Sequence, residues 1–350
     1  MEDSANRSWL LGLAAAVVVV AGLRAAAGLL EPFLIAIFIA IVCTPMVAWL
    51  RDRGLPEGLA VGLVMLGLVV VMLSAVAGLG ASINGFVRAL PQYQEILAER
   101  VSELLVRFPF LSVDIGPSTL REHLDPGLLM SLAGKAASQF GAVLGSFLLV
   151  LIAVAFILLE AARFPAKLRV AMSDNGSSAE VFRRFAEGVH RYLAIKSMVS
   201  LGTGVLVAIW MWVLNVDYPI LWGTLAFLFN YIPNIGSFLA AVPACLLAFV
   251  LHGTGVALVG VAGFVVINTA IGNFLEPRLM GRSLGLSTLV VFMSLVFWGW
   301  VLGPVGMVLS VPLTMILRLA LESREDTRWL AVLLGPEVEH ESATGETGQS

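Results

Sequence analysis

Charge is scarce in this sequence. Only 13% of its 350 residues are Asp, Glu, Lys or Arg, against about 25% in soluble domains. Hydrophobic residues make up 59% and mean hydropathy is +0.94, more apolar sequence than a soluble core of this length requires. Cysteine is almost absent: Cys43 and Cys245 lie in separate apolar runs, with no spacing suited to a metal or a redox pair, and are expected as small buried hydrophobes. The four histidines, His123, His190, His252 and His340, are scattered, and none has a partner at metal-ligand spacing. Gly134-Lys135 lacks the preceding glycine of a phosphate loop and is followed by Ala136, so no nucleotide site is expected. No G-x-S-x-G nucleophile elbow occurs either. The net charge of -3 argues against nucleic acid, whose phosphates require a basic face. No enzyme chemistry and no cofactor are expected.

What the sequence does have is long apolar runs. Segments of roughly 20 such residues can span a bilayer, and they fall near 9–27, 32–50, 59–80, 140–160, 197–216, 219–250, 254–275 and 287–318. The expected fold is an all-α integral membrane protein of about eight hydrophobic segments, some broken or re-entrant, with amphipathic interfacial helices in addition. Pro219, Pro233 and Pro243 fall within 219–250, so that segment is expected to bend or split. Arg7, the apolar run from Trp9 to Leu23 and Ala25-Ala-Ala27 have the outline of a secretory signal. More hydrophobic segments follow at once, which favours a retained first span.

Basic residues are retained in the cytoplasm, and this orients the spans. Arg51 and Arg53 mark a short inner loop, and Arg163, Lys167, Arg169, Arg183, Arg184, Arg191 and Lys196 mark an inner segment. The acidic stretch 82–138 falls outside, and both termini inside. Four regions follow: N-terminal spans over 1–81, an extracytoplasmic amphipathic segment over 82–139, a transport core over 140–321 with a cytoplasmic amphipathic helix at 163–196, and a disordered acidic tail over 322–350. One conflict remains. Eight full crossings would put Arg278 and Arg282 outside, unless a segment between 219 and 275 re-enters or those arginines lie within the protein.

Phe86, Leu90, Tyr93, Leu97, Val101, Leu104 and Phe108 recur at steps of three and four, marking one face of a helix that lies on the membrane or on another subunit. A second amphipathic helix starts near Ser178, with Val181, Phe185, Val189 and Tyr192 opposite Arg183, Arg184, Glu187 and Arg191, as suits an interface with anionic lipid. Gly141 with Gly145 and Gly299 with Gly303 are read as close helix packing.

The chemistry concentrates at two interruptions. One is Asn230-Tyr-Ile-Pro-Asn-Ile-Gly236, with Pro233 and Asn234 inside it; the other runs from Asn268 through Asn273, Glu276, Pro277 and Arg278 to Gly281. Ionisable groups at bilayer depth are costly and mark functional sites. Pro277 removes a donor and disfavours a helical Glu276, so a break is expected there. Broken helices near the midplane commonly form transporter sites. Amides there suit a small polyol or a desolvated cation, and Glu276 would be the ion-coupling or substrate-gating carboxylate. The structural alternative is that Glu276 and Arg278 pair and cap helix ends.

These stretches, with Leu275-Glu-Pro-Arg-Leu-Met-Gly281, Phe297-Trp-Gly-Trp-Val-Leu-Gly-Pro-Val-Gly-Met307 and Val311-Pro312, resemble the autoinducer-2 exporter family of bacterial permeases. The resemblance is densest over 219–321 and extends to Pro32 and Pro45 of the second span. Thr288 departs from it, where the family usually has proline. The resemblance implies an inner-membrane, homo-oligomeric transporter, exporting autoinducer-2 in some members and exchanging sodium for protons in others. A membrane scaffold without transport is the alternative of another class; the paired breaks favour transport, since an anchor has no need of polar, interrupted helices.

Overall fold

The computed structural model describes residues 2–107, 146–161, 176–233, 235–280, 286–322 and 327–335, and among these no strand occurs. The N-terminal helices are α1 (Glu2–Ala25), α2 (Ala27–Asp52), α3 (Glu57–Arg107) and α4 (Ser146–Ala161). Ala36, Ala40 and Val47 of α2 meet Ala60, Val61 and Val64 of α3 and Val150, Val154 and Leu158 of α4 in one buried cluster. Small residues at these positions let the three helices approach closely. Arg24 lies over the Trp300 ring, 4.2 Å from its centroid, tying α1 to a later helix.

The third apolar segment, expected over 59–80, and the amphipathic segment after it share one helix. α3 continues unbroken past residue 80, through Pro91, to Arg107. Phe86, Tyr93 and Leu97, predicted to face the membrane or another subunit, instead pack on Trp222, Ala240 and Ala244 of this same chain. The Phe86 ring stands edge-on to Tyr218 and Trp222, at 6.0 and 5.8 Å. Phe86, Tyr93 and Leu97 thus share the buried face that the periodicity marks, and the apolar surface that receives them comes from residues more than a hundred positions away; Phe108 falls outside the described residues.

α5 (Gly176–Val213) likewise merges the predicted interfacial helix and the fifth span into one element. The next segment splits as its prolines require, into α6 (Pro219–Phe229) and α7 (Gly236–His252). These form a hairpin that returns to its starting end: His252 Nε2 lies 2.8 Å from the carbonyl of Asn215, just ahead of α6. Gly204 of α5 and Gly223 of α6 allow the close approach, since a Cβ on either would come within 2.7 Å of the other's carbonyl.

α8 (Thr254–Asn268) runs antiparallel to α5, passes into a π-helix (Thr269–Leu275) and ends in the short α9 (Glu276–Met280). Arg191 Nη2 donates to the Leu279 carbonyl at 3.4 Å, so Arg278 shares an end of the bundle with Arg191. The hairpin 219–252 thus begins and ends at one end of the bundle, with Arg278 at the other.

α10 (Thr288–Val308) is itself broken, with non-helical Leu302 and Gly303 before Pro304, and α11 (Ser310–Glu322) and α12 (Arg328–Leu333) follow. Trp298 Nε1 donates to Thr314 Oγ1 at 3.0 Å, and the Ser287 amide donates to the Leu334 carbonyl at 3.3 Å. The chain therefore doubles back, and the long apolar segment 287–318 is a second hairpin. Gly299 does serve packing, against Met307. Gly303 instead makes the turn, with a φ of 59° that side chains rarely adopt.

Five described helices are long and apolar enough to cross a membrane. Met198 is 70% exposed and Trp212 71%, with many other large apolar side chains also outward. A water-soluble monomer does not expose apolar surface on this scale; a multi-pass membrane protein presents it to lipid.

Candidate functional site

The site begins on α5. Tyr192, Lys196, Ser200 and Thr203 follow at steps of four, four and three, on one face of the helix, and all four are buried. Polar groups in such a position must find partners inside the protein. Thr203 Oγ1 donates back to the Val199 carbonyl at 3.0 Å, and neighbouring Ser197 to Leu193 at 2.8 Å. Ser200 and Lys196 look outward to two other elements.

Ser200 meets the tip of the α6–α7 hairpin. Asn230 Nδ2 donates to its Oγ at 2.9 Å. The tip is wound tightly on its own backbone: the Ile232 amide donates to Phe229, and the Ile235 amide to Pro233, at 2.8 and 2.7 Å. Gly236 is required there because a Cβ would overlap the Phe229 carbonyl. Tyr231 is buried at the tip, edge-on to Phe38 at 5.5 Å and Phe227 at 5.6 Å, with its hydroxyl against Ser197.

Lys196 reaches the other interruption. Its Nζ donates to Glu276 Oε1 at 2.6 Å, with side-chain exposures of 8% and 19%. Tyr192 lies within electrostatic range of both Glu276 and Tyr231. The two interruptions therefore converge on one face of α5.

The predicted break at Glu276 needs correction, and so does the structural alternative in which Glu276 pairs with Arg278. Glu276 keeps helical angles, φ -58° and ψ -50°, because the strain introduced by Pro277 is taken up earlier, as a widened turn. The Glu276 amide reaches back five residues to the Ile271 carbonyl, the hydrogen bond that defines a π-helix. Pro277 then sits in the first turn of α9, where a missing N–H is tolerated. Glu276 N–H, the α-helical donor for the Gly272 carbonyl, is thus committed to Ile271, and Pro277, the π-helical one, has no N–H. Arg278 is exposed, and the ion partner of Glu276 is Lys196. That lysine belongs to the buried stripe rather than to a basic surface loop.

The remaining candidates divide. Asn268 borders a small cavity shared with Thr203, Val207, Ala226, Ser237, Phe264 and Ile267, between α5, the hairpin and α8, although much of its side chain is exposed. Asn273 and Pro277 are exposed and take no part in the cluster. Pro233 lies at the tip. Asn234 and Gly281 fall outside the described residues, as do Arg282, Gly141, Gly145, the stretch 108–145 and the tail from 336. The sequence reading missed Tyr192, Lys196, Ser200, Thr203 and Tyr231. Their spacing was the available signal: polar residues recurring every three or four positions through an apolar run.

A bundle of this kind, lipid-facing outside and polar where two interruptions meet inside, is a multi-pass membrane transport protein. Residues 13–325 match the AI-2E family of transporters, and the chain belongs to that family. The AI-2 transport protein TqsA of Escherichia coli K12 is 40% identical over 318 residues, covering 91% of this chain and 92% of TqsA. A candidate transport protein of Haemophilus influenzae is 41% identical over 343 residues, 96% and 98% of the two chains. The candidate transport protein YhhT of E. coli K12 is 37% identical over 334 residues, 95% and 96%.

Proposed function

We propose that this protein is a secondary transporter exporting a small polar solute across the bacterial cytoplasmic membrane, with autoinducer-2 as the first solute to test. The observation that carries this reading is the convergence of Asn230 and Glu276 on the buried stripe of α5. Asn230, Ser200, Ser237 and Asn268 supply donors and acceptors matched to a polyol, and the similarity to TqsA directs the choice of solute. Flux of a furanosyl signal into proteoliposomes of purified protein, absent in protein-free vesicles, is the expected result. No flux of that compound, alongside sodium-dependent proton movement, would select the second reading.

That second reading, cation–proton exchange, is favoured by the ion pair Lys196–Glu276, since a carboxylate at this depth is the natural coupling group. We further propose a homo-oligomer, with Arg51, Arg191 and Arg278 on the cytoplasmic side and both termini inside. A membrane scaffold would show no solute-dependent flux under any of these conditions.

A further inference from the structure

We propose that Lys196 is a tethered counter-cation, and that the Glu276 carboxylate exchanges it for a small monovalent cation taken from solution. This rests on the reading of Glu276 as part of the transport pathway, and adds to it what the carboxylate binds and what must leave first.

Three observations carry the inference. The ammonium and the carboxylate are in contact at 2.6 Å and largely buried, so in this state a dissolved cation finds Glu276 already occupied. A buried ion pair is a poor device for stability alone, because apolar side chains of similar size fill the same space at no desolvation cost. Here the pair sits where α5 meets the π-to-α junction, a winding that recurs at functional sites. The Gly272 carbonyl, four residues before Glu276, lacks helical donors because Glu276 N–H goes to Ile271 and Pro277 has none. A carboxylate one turn after a carbonyl deprived of its α- and π-helical donors is the oxygen chemistry that freed backbone supplies to cations in broken transporter helices. Lysine suits the tethered role: its charge is compact and its stem flexible, and the Ser200 hydroxyl lies one turn further along the same face as an alternative acceptor. The exchange conserves charge at Glu276, one cation leaving as another enters.

A competitor held on the protein lowers the apparent affinity for the dissolved cation by the fraction of time it occupies the site. Removing it must raise that affinity. The test is thermal stability of the purified full-length protein in sodium chloride, against choline chloride at equal ionic strength, repeated from acid to neutral pH. Lys196→Met is expected to be stabilised by sodium with an apparent affinity about ten-fold tighter than the unsubstituted protein. Glu276→Gln should lose the response. Lys196 contacts Glu276 and Tyr192 lies within electrostatic range of it, while Tyr231, Arg191, Arg278 and His190 are the other charged or titratable groups of these elements; all are present in Glu276→Gln, so any acid response they cause persists there and is subtracted. A sodium response identifies an alkali cation and supports the exchange; an acid-only response, which any buried carboxylate stripped of its cation gives, overturns it. If Lys196→Met proves too unstable to purify, Lys196→Arg, whose planar fork binds carboxylates more firmly, should weaken the response instead. A response equal in Lys196→Met, Lys196→Arg and the unsubstituted protein would overturn the proposal. Furanosyl flux retained in Glu276→Gln would instead remove Glu276 from the pathway, which is a separate failure.

Discussion

His252, the last residue of α7, meets the carbonyl of Asn215 at 2.8 Å. Thirty-six residues separate them, enough to cross a bilayer and yet here spent in going in and coming back. The base of the hairpin is therefore at one end of the bundle, while Arg278 is at the other, beside Arg191. In a background with Cys43 and Cys245 replaced by alanine, cysteines at Val213 and Thr254 are expected to react with a membrane-impermeant thiol reagent from the same side. A cysteine at Arg278 should react from the opposite side. Labelling of positions 213 and 254 from different sides would mean that 219–252 crosses fully.

The base is also fastened to the long third helix. Tyr93 donates its hydroxyl to Asp217 Oδ2 at 2.7 Å, and the Trp222 indole donates to the Asp217 carbonyl at 2.8 Å. Tyr93→Phe keeps the ring packing and removes one bond to a carboxylate that is partly in solvent, which costs about 1 kcal/mol. The expected outcome is a lower melting temperature with solute selectivity unchanged. Altered selectivity would place Tyr93 in the pathway itself.

Composition made the bilayer and the helical class legible, and proline placement anticipated the split of 219–252. The faces of α3 and α5 could be read from periodicity, but not what they pack on, because Trp222 and Met280 come from distant parts of the chain. At the site, Glu276 was visible as an isolated carboxylate in apolar sequence. Lys196 was not, because it ends a run of basic residues and counted as the last of a surface cluster; only the helix that carries it through to Ser200 and Thr203 turns it inward. Pro277 was read by its local rule, which a widened turn several residues earlier satisfies in a way that the proline itself does not announce.

Gly223 and Gly236 are held to glycine by space. A Cβ at Gly223 would come within 2.6 Å of both the Gly204 carbonyl and the Ala208 Cβ. Overpacking of this kind costs about 1 to 3 kcal/mol, so Gly223→Leu should fall at the upper end and separate α6 from α5. Gly236→Ala should deform the hairpin tip and reduce flux through displacement of Asn230. Fluorescence-detected melting of each variant, paired with flux at a temperature where it remains folded, separates the two effects. Unchanged melting for Gly223→Leu would show that α5 and α6 pack less closely than described.

Lys196 and Arg278 provide a direct contrast, since both are basic and both are near Glu276, yet one is buried against it and the other exposed. Arg278→Gln removes an exposed charge and should change stability by no more than about 0.5 kcal/mol. Lys196→Gln leaves Glu276 buried without its cation, a loss of about 3 kcal/mol in low salt. Adding Glu276→Gln to Lys196→Gln should restore most of that loss, because two amides can bond each other where one carboxylate was stranded. Adding Glu276→Gln to Arg278→Gln should restore nothing. A melting series of these four variants checks the order. If Arg278→Gln is the more damaging single change, and its double variant the one that recovers, then the arginine is the working partner of Glu276 and Lys196 merely lies beside them.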